Sequence, residues 1–232
     1  MNKPLPMQQQ TVYAMAFLCI FLLLVGIAHV LYKFVGVSSE NSRKFLHVSG
    51  GFLALCSPLF FKSHWWVLIL CALAFLLLFI TYIKHWLPSI HQTRRKSIGS
   101  VIYPIPIYIC FLVAMQKSNN LLFYLPISLL TVSDTMAELG GKHFGKYSRK
   151  LIHSQKSVAG SISFALSALV ICIVWTCFFY LSSQEVIIVS LAITAIATIT
   201  EIISTRGLDN LTVPLVTLVC LLLLQQLLTA AQ

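Results

Sequence analysis

The sequence predicts an all-α protein, a polytopic bundle of transmembrane helices, and three observations lead to this fold class. Hydrophobic residues make up 58% of the 232 residues and charged residues only 9%, a balance typical of polytopic membrane proteins and not of soluble domains. Apolar runs of about twenty residues, each long enough to cross a bilayer as a helix, recur along the chain. The polar stretches between them are short, so we expect a single integral membrane domain over residues 1–232.

The apolar runs are candidate membrane spans, taken here in chain order. The first is too long for the apolar core of a signal peptide, and we expect it to stay as a helix. The second and fourth are short and contain Gly or Pro, so seven spans are an alternative to eight; neighbouring helices can satisfy the backbone at such interruptions. The eight runs cover residues 12–32, 45–61, 64–83, 100–116, 119–137, 158–181, 185–205 and 211–229.

The basic residues are distributed unevenly over the loops between these spans. With eight spans, the loops at 33–44, 84–99, 138–157 and 206–210 lie on one side and hold thirteen of the 16 Lys and Arg residues. Such an excess marks the cytosolic side of a membrane protein, so we expect these loops in the cytosol and both termini outside. Orientation and contact with anionic membrane lipids explain the net charge of +10, and we predict no nucleic-acid partner.

Four of the six acidic residues lie at the ends of apolar runs, all on the predicted cytosolic side. A carboxylate at the edge of a bilayer is costly, so such positions are candidate functional sites. The alternative is that polar residues simply end the helices, which explains a lone Lys or Arg better than a group of acids. The four acids are Asp134, Glu138, Glu201 and Asp209. The predicted catalytic region therefore comprises the segments 133–161 and 201–214.

The segment 133–161 combines acids, glycines and lysines, a composition that fits metal-bound phosphates. Asp134 and Glu138 are four residues apart and share a helix face, and Mg²⁺ is commonly held by one or two carboxylates together with phosphate oxygens. Glycine lets backbone N–H groups approach phosphate, lysine neutralises its charge, and a helix N-terminus attracts it. A flexible basic turn is the alternative. We assign the phosphate contacts to Gly141, Lys142, Gly145, Lys146, Lys156, Ser157 and Gly160.

The segment 201–214 carries the other two acids. Glu201 lies inside the membrane edge, where it needs a partner or a water-filled cavity, and Arg206 is a candidate partner. Asp209 and Asn210 are candidates to complete a metal shell or to orient an acceptor hydroxyl. The alternative is a capped hairpin turn, which explains Asn210 as well as a functional site does but does not explain Glu201.

A third polar group precedes the second span. Arg43 suits bidentate phosphate binding, whereas for Lys44 a membrane anchor is the favoured interpretation. His47 lies one helical turn inside the span. It is either a site residue or an interfacial histidine, and the sequence leaves both interpretations open.

These segments resemble the CTP-dependent lipid-alcohol kinases (phytol kinase, dolichol kinase and the CTP-using diacylglycerol kinase), which are related to a broader CTP-transferase membrane family. Ala159 stands where dolichol-kinase-like members commonly carry an acid; this form is closer to phytol kinase and favours an isoprenoid alcohol. The extended signature of phosphatidate cytidylyltransferase is not present. The resemblance is carried by Arg43-Lys44-x-x-His47, Asp134-x-x-Ala137-Glu138-x-x-Gly141-x-x-x-Gly145, Lys156-Ser157-x-Ala159-Gly160-Ser161 and Asp209-Asn210-x-x-Val213-Pro214.

The resemblance implies CTP as co-substrate and a lipid alcohol as acceptor, while the acids themselves point to Mg²⁺ as cofactor. We predict Asp134, Glu138, Lys156 and Asp209 as catalytic residues, with the three acids among them as metal ligands. Asp134 or Asp209 is alternatively the group that orients or deprotonates the alcohol. Two other functions stay open: a nucleotidyltransferase that makes a CDP-lipid from phosphatidate, and a non-enzymatic transporter or scaffold. Transporters bind near the bilayer midplane, whereas these acids gather at one face.

Overall fold

The structure is a computed structural model that describes residues 7–91, 97–145, 156–179 and 182–230. These described residues are helical almost throughout, which confirms the predicted all-α class. A π-helical turn at Leu129–Ser133 joins the eighth and ninth helices. In chain order the helices are α1 (Met7–Phe34), α2 (Ser39–Leu55), α3 (Ser57–Phe60), α4 (His64–Lys84), α5 (Pro88–His91), α6 (Gly99–Ile102), α7 (Pro104–Gln116), α8 (Leu121–Ser128), α9 (Asp134–Phe144), α10 (Val158–Phe179), α11 (Ser183–Ile203) and α12 (Asp209–Ala230).

Six helical segments among the described residues are long and apolar enough to cross a membrane. They are α1, α4, α10, α11, the combined α6–α7 segment (Gly99–Gln116) and most of α12 (Asp209–Leu227). The two other predicted spans, 45–61 and 119–137, fall on α2–α3 and on α8, the π-helical turn and α9, and neither is among these six segments. The chain is thus a polytopic helix bundle, while its exact number of spans stays a prediction.

Large apolar side chains cover the outer surface of this bundle. Leu23 on α1, Leu166 and Phe178 on α10 and Ile203 on α11 are all more than 60% exposed. A soluble monomer rarely exposes so much contiguous apolar surface. These side chains therefore face lipid, as the composition predicts.

The centre of the bundle is α8, which is apolar on every side, as expected for a helix that is buried all round. Its leucine and phenylalanine side chains, among them Leu122, Phe123 and Leu125, are fully buried, and α2, α7, α10 and α12 pack around it. The π-helical turn that follows leads directly to Asp134, the first residue of α9. The most enclosed helix of the protein thereby positions the first acid of the candidate site.

Two glycines allow α9 and α10 to pack closely against each other. A Cβ atom at Gly140 would collide with the hydroxyl of Ser163, and one at Gly160 would lie 2.9 Å from the carbonyl oxygen of Ala137. Contacts under 3.0 Å require the neighbour to move, and Ala137 offers a backbone atom that cannot. Gly160, predicted from the sequence to approach phosphate, thus has a packing role as well.

Gly51 is expected to tolerate no side chain, whereas its neighbour Gly50 tolerates one. A Cβ atom at Gly51 would lie 2.5 Å from the Tyr103 hydroxyl and would collide with Thr131, while nothing lies within 4 Å of a Cβ atom at Gly50. Overpacking costs about 1–3 kcal/mol, and replacing an unstrained helical Gly by Ala gains roughly 0.5–1 kcal/mol. We expect Gly51→Ala to lower the unfolding temperature in detergent, measured by tryptophan fluorescence on heating, and Gly50→Ala to preserve or raise it. Equal midpoints for the two variants would contradict this packing.

Candidate active site

A large cavity lies at the end of the bundle where the predicted catalytic segments meet. Its volume is about 1560 Å³, larger than the roughly 300–1,000 Å³ of an ordinary small-molecule pocket. Its charged end is lined by the first turns of α2 and α12, by α9, by the residues entering α10 and by the last turn of α11. Its other part, the apolar arm, is lined by Phe17 and Phe21 of α1, by one face of α2 from Leu46 to Ala54 with Ser57 at the start of α3, and by one face of α4 from Val67 to Leu78.

In the first charged cluster, Lys44 of α2 lies between the two acids of α9. Its Nζ is 2.7 Å from Oδ2 of Asp134 and 3.1 Å from Oε2 of Glu138. Lys142, one turn beyond Glu138, donates to Oε1 of Glu138 at 2.6 Å and to Oδ1 of Asn41 at 3.2 Å. The two acids therefore share one face, as their spacing predicts, and Glu138 is held between two ammonium groups.

His47 connects α2 to the π-helical turn that precedes Asp134. Its Nε2 donates to the carbonyl oxygen of Leu130 at 2.9 Å and lies 3.5 Å from Oδ2 of Asp134. Because a carbonyl oxygen only accepts, Nε2 carries the proton. The backbone carbonyl of His47 in turn accepts a hydrogen bond from the Tyr103 hydroxyl at 3.0 Å. The structure thus places His47 inside the site, where it fixes α2 against the helix that carries Asp134.

In the second charged cluster, Lys156 joins α11 to α12. Its Nζ is 2.7 Å from Oε1 of Glu201 and 3.0 Å from Oδ2 of Asp209. Ser161 donates to the other carboxylate oxygen of Glu201 at 3.2 Å. The side chain of Glu201 is only 4% exposed, and a carboxylate so buried requires both charge and hydrogen-bond partners. Lys156 and Ser161 supply them.

Lys156 replaces Arg206, the partner that the sequence offered for Glu201. The backbone of Arg206 is left-handed, with φ of 56°, and its side chain is exposed. Arg206 still lines the cavity, but the cation that contacts Glu201 belongs to the segment entering α10. The correction has a simple cause: Lys156 is distant in sequence, and only the packing of α10 on α11 brings it to Glu201.

The smaller polar residues of the predicted site mostly act on helix ends. Ser157 accepts a hydrogen bond from the backbone N–H of Gly160 at 3.2 Å and so caps the start of α10. Gly141 and Gly145 face Ser157 from α9 and line the same cavity. Asn210, which is buried, lies beside Gly99 at the start of α6.

Of two further predicted phosphate-binding residues, Arg43 and Lys146, the structure describes only Arg43. Arg43 lines the charged end of the cavity, with its guanidinium 4.0 Å from the Glu138 carboxylate. Lys146 lies outside the described residues.

The three predicted metal ligands are divided between the two charged clusters. Asp134 and Glu138 lie together, while Asp209 lies with Lys156 and Glu201; all of them line one cavity. The described part of the chain contains no group of three or more His, Cys, Asp and Glu side chains that could hold a metal. Two carboxylates on one helix face do fit Mg²⁺, which completes its shell with water and phosphate oxygens. Asp209 as a third ligand stays a prediction.

Lys44 is the functional candidate that the sequence interpretation missed. Its place in the sequence favours membrane anchoring, yet its side chain is 15% exposed and contacts both acids of α9. The available signal was its position three residues before His47, a spacing that places both on one face of a helix. What the sequence could not give was the pairing of that face with α9, ninety residues further along the chain.

Comparison with known proteins assigns the chain at family level. The model of the cytidylyltransferase family matches residues 5–209, a range that contains every acid of the two charged clusters. The chain belongs to the cytidylyltransferase family. A phytol kinase of Synechocystis sp. is 26% identical over 179 residues, which cover 76% of this chain and 76% of the relative. These matches confirm the resemblance carried by the motifs. No solved structure matches the chain significantly.

In this cytidylyltransferase-family protein, neighbouring charges shift the pKa values of two site residues that lie outside the membrane-spanning helices. Burial disfavours the ammonium of Lys156, but the carboxylates of Asp209 and Glu201 outweigh burial and raise its pKa above 10.5. Burial likewise disfavours the carboxylate of Glu138, but Lys44 and Lys142 outweigh it and lower the pKa below 4.5. The ammonium of Lys156 and the carboxylate of Glu138 are therefore both charged at neutral pH. Such a site presents several cations to a polyanionic ligand and several carboxylates to a metal ion.

The lowered pKa of Glu138 predicts acid sensitivity. A carboxyl group whose pKa is lower in the folded state contributes stability above its unfolded pKa, ordinarily 4.5, and loses it as the pH falls toward the folded pKa. We expect wild type to lose stability below about pH 4.5, with Glu138→Gln less stable at pH 7 but less dependent on pH in the acid range. The pH dependence is measured from the unfolding temperatures of both proteins in detergent at pH values from 3 to 7, in steps of about half a pH unit. Parallel curves for the two proteins would contradict the ion pairing.

Proposed function

We propose that this protein is a CTP-dependent kinase that phosphorylates a membrane lipid alcohol with the help of Mg²⁺. The observation that carries the proposal is one cavity in which a cluster of acids and lysines opens into an apolar arm. The family match supports an enzyme that uses CTP, and the similarity to a phytol kinase supports a lipid kinase or a related activity. An amphipathic cavity fits an acceptor whose hydroxyl must meet a polyphosphate while its tail stays out of water.

The nucleotide phosphates fit the charged end, where basic side chains surround the cavity. Lys142 and Lys156 enter it from the end of α9 and the start of α10, and Arg43 enters from α2. The first turn of α10 lies beside them, and the dipole of a helix N-terminus favours an anion. In phosphoryl transfer the protein contributes chiefly positioning and neutralisation of charge, which is what these groups supply.

Asp134 and Glu138 would hold Mg²⁺, because they offer carboxylate oxygens from one helix face at the edge of the phosphate site. The metal ion, when bound, supplies neutralisation of the charge that develops on the phosphate oxygens. Lys44 holds the two carboxylates together when they carry no other cation.

The chemical step is the transfer of one phosphoryl group. The hydroxyl oxygen of the lipid forms a bond to the γ-phosphorus of CTP, the bond from this phosphorus to the β–γ bridging oxygen breaks, and CDP leaves with that electron pair. The hydroxyl proton passes to a carboxylate, for which we choose Asp209, because Asp134 and Glu138 are assigned to the metal ion. Asp209 lines the same cavity and contacts Lys156. Asp134 is the alternative acceptor, in place of its role as a metal ligand.

The charged end faces the cytosol in this proposal. The basic loops support this orientation through the positive-inside rule, and a soluble nucleotide would then enter from the cytosol while the lipid stays in the bilayer. Membrane lipids and the lipid alcohol are the expected partners beside CTP.

Nucleotidyl transfer is a second candidate, which the name of the matching family favours. The phosphate oxygen of phosphatidate would then attack the α-phosphorus of CTP, and pyrophosphate would leave. The same lysines and acids suit both reactions, so only the products separate them.

An assay with CTP labelled at either phosphate decides between the two reactions. Purified protein in detergent with Mg²⁺ is offered phytol, farnesol, a polyprenol, diacylglycerol and phosphatidate in parallel. We expect label to move from the γ position of CTP to an alcohol, with release of CDP. Transfer from the α position to phosphatidate would establish the cytidylyltransferase instead, and no transfer to any acceptor would contradict both.

Substitution of a residue in either cluster should strongly lower turnover, and the fold of each variant is checked separately. We expect Asp134→Asn and Lys156→Ala to lower kcat by roughly 100-fold or more, the typical cost of removing a group that stabilises developing charge. The matched control is Glu185→Gln, since Glu185 lies on α11 about 24 Å from Glu201 along the helix axis. Unfolding temperatures of all variants are measured in the same detergent. Full activity in a folded Asp134→Asn protein would show that the site is misassigned.

A further inference from the structure

We infer that the apolar arm is a gauge for the length of the lipid tail, closed at its far end by an aromatic floor. The inference rests on the proposed function, because it assigns the arm to the tail of the alcohol that is phosphorylated. It adds what the motifs do not contain: which side chains select the alcohol, and by what physical property.

Two helix faces of equal length line the arm. On α2 the lining residues Leu46, Gly50 and Leu53 recur every three or four positions, the spacing of a single helix face, and Ser57 at the start of α3 continues the series. On α4 the residues from Val67 to Leu78, with Leu70 and Ala74 between them, follow the same spacing. Each series covers eleven residue steps, which correspond to about 17 Å along α4 at 1.5 Å per residue.

The two faces run in opposite directions, so the arm has a defined mouth and a defined end. Leu46 and Leu78 belong to one buried cluster, next to the turn of α2 that carries His47. Ser57 and Val67 lie at the other end, where the short α3 connects the two helices. The arm therefore begins beside the charged end of the cavity and leads about 17 Å away from it.

Four aromatic side chains, which we call the aromatic floor, close the far end. Phe17 lines the arm, and its ring centroid lies 5.6 Å from that of Phe60 and 5.0 Å from that of Phe61, both edge to face. Tyr13 packs in the same way against Phe60 at 5.1 Å. Edge-to-face pairs stabilise one another, and Phe61 is only 2% exposed. The floor is therefore a packed wall, built where the chain turns from α2 into α4.

The dimensions of the arm set a length for the tail. Carbon–carbon bonds of about 1.5 Å advance an extended chain by roughly 1.3 Å each, so about 17 Å accommodates approximately thirteen bonds. Small residues keep the arm open along its length: a Cβ atom at Gly50 would meet nothing within 4 Å, and Ala54 and Ala74 line the walls. An alcohol with a main chain of roughly 12–16 carbons fits, whereas most of a long polyprenol would have to remain outside.

Two substitutions should change the longest lipid tail that the arm accepts, in opposite directions. Phe17→Ala opens the floor, and Ala74→Phe fills the arm about 6 Å below its mouth. The matched control is Ala72→Phe, because Ala72 lies on the exposed side of α4 two residues away. The measurement is kcat/KM with CTP and prenyl alcohols of ten, fifteen, twenty and fifty-five carbons, in which four of every five carbons belong to the main chain.

We expect wild type to prefer fifteen or twenty carbons. Ala74→Phe should lower kcat/KM for twenty carbons by roughly 10-fold or more relative to ten carbons, in line with the discrimination that apolar pockets achieve. Phe17→Ala should raise the relative value for fifty-five carbons, and Ala72→Phe should match wild type. Unchanged chain-length preference in both Phe17→Ala and Ala74→Phe would overturn the gauge while leaving the kinase intact.

A binding measurement separates the gauge from the reaction. An alcohol of fifteen carbons with a photoreactive diazirine at the end of its tail is cross-linked to wild-type protein without CTP, and the modified peptides are identified by mass spectrometry. Adducts on Phe17 or on the segment Phe60–Phe61 support the gauge, even if no alcohol is phosphorylated and the proposed function fails. Adducts confined to outward residues such as Leu73 and Leu76, both exposed on α4, overturn it. This result also decides the matter if Ala74→Phe does not fold.

Discussion

Four carboxylates stand at the edge of an apolar bundle, and two lysines make that arrangement stable. Lys44 neutralises Asp134 and Glu138, while Lys156 neutralises Asp209 and the almost fully buried Glu201. An unpaired charge in such surroundings costs several kcal/mol, so removing either lysine leaves its acids uncompensated. The same contacts tie α2 to α9 and α10 to α11 and α12. Charge pairing thus determines how the helices meet at the site.

The hydrophobic pattern explains why the rest of the bundle is predictable and where prediction stops. Long apolar runs fix α1, α4, α10, α11 and α12 within a few residues, because span length is set by the bilayer. The hydrophobic pattern does not reveal that α8 is the enclosed centre, since a core helix and a lipid-facing helix have the same composition. The hydrophobic pattern likewise carries no signal for the π-helical turn after α8, which packs against α2 and α10.

The same distinction applies to the candidate site: features set within one helix are predictable from the sequence, and contacts between distant helices are not. Spacing of four residues correctly placed Asp134 and Glu138 on one face, since helix geometry alone decides it. The partners of the acids depend on which helices meet, so the sequence alone does not pair Lys44 with the acids of α9 or Lys156 with Glu201. A glycine in a motif can have either of two roles, close helix packing or close approach to phosphate. Gly160 permits close packing of α10 on α9, and the motif alone does not distinguish this role from contact with phosphate.

Under the proposed function, the pairing of Lys44 with Asp134 and Glu138 also links the binding of the metal ion thermodynamically to the binding of the nucleotide. A divalent ion bound to these carboxylates would displace the ammonium, and the displaced ammonium would then be available to a phosphate oxygen. Each ligand thereby removes an obstacle to the other, which is positive coupling and is reciprocal by necessity. The protein would hold free metal or free nucleotide weakly and their complex tightly, so it would respond to the complex and ignore either component alone.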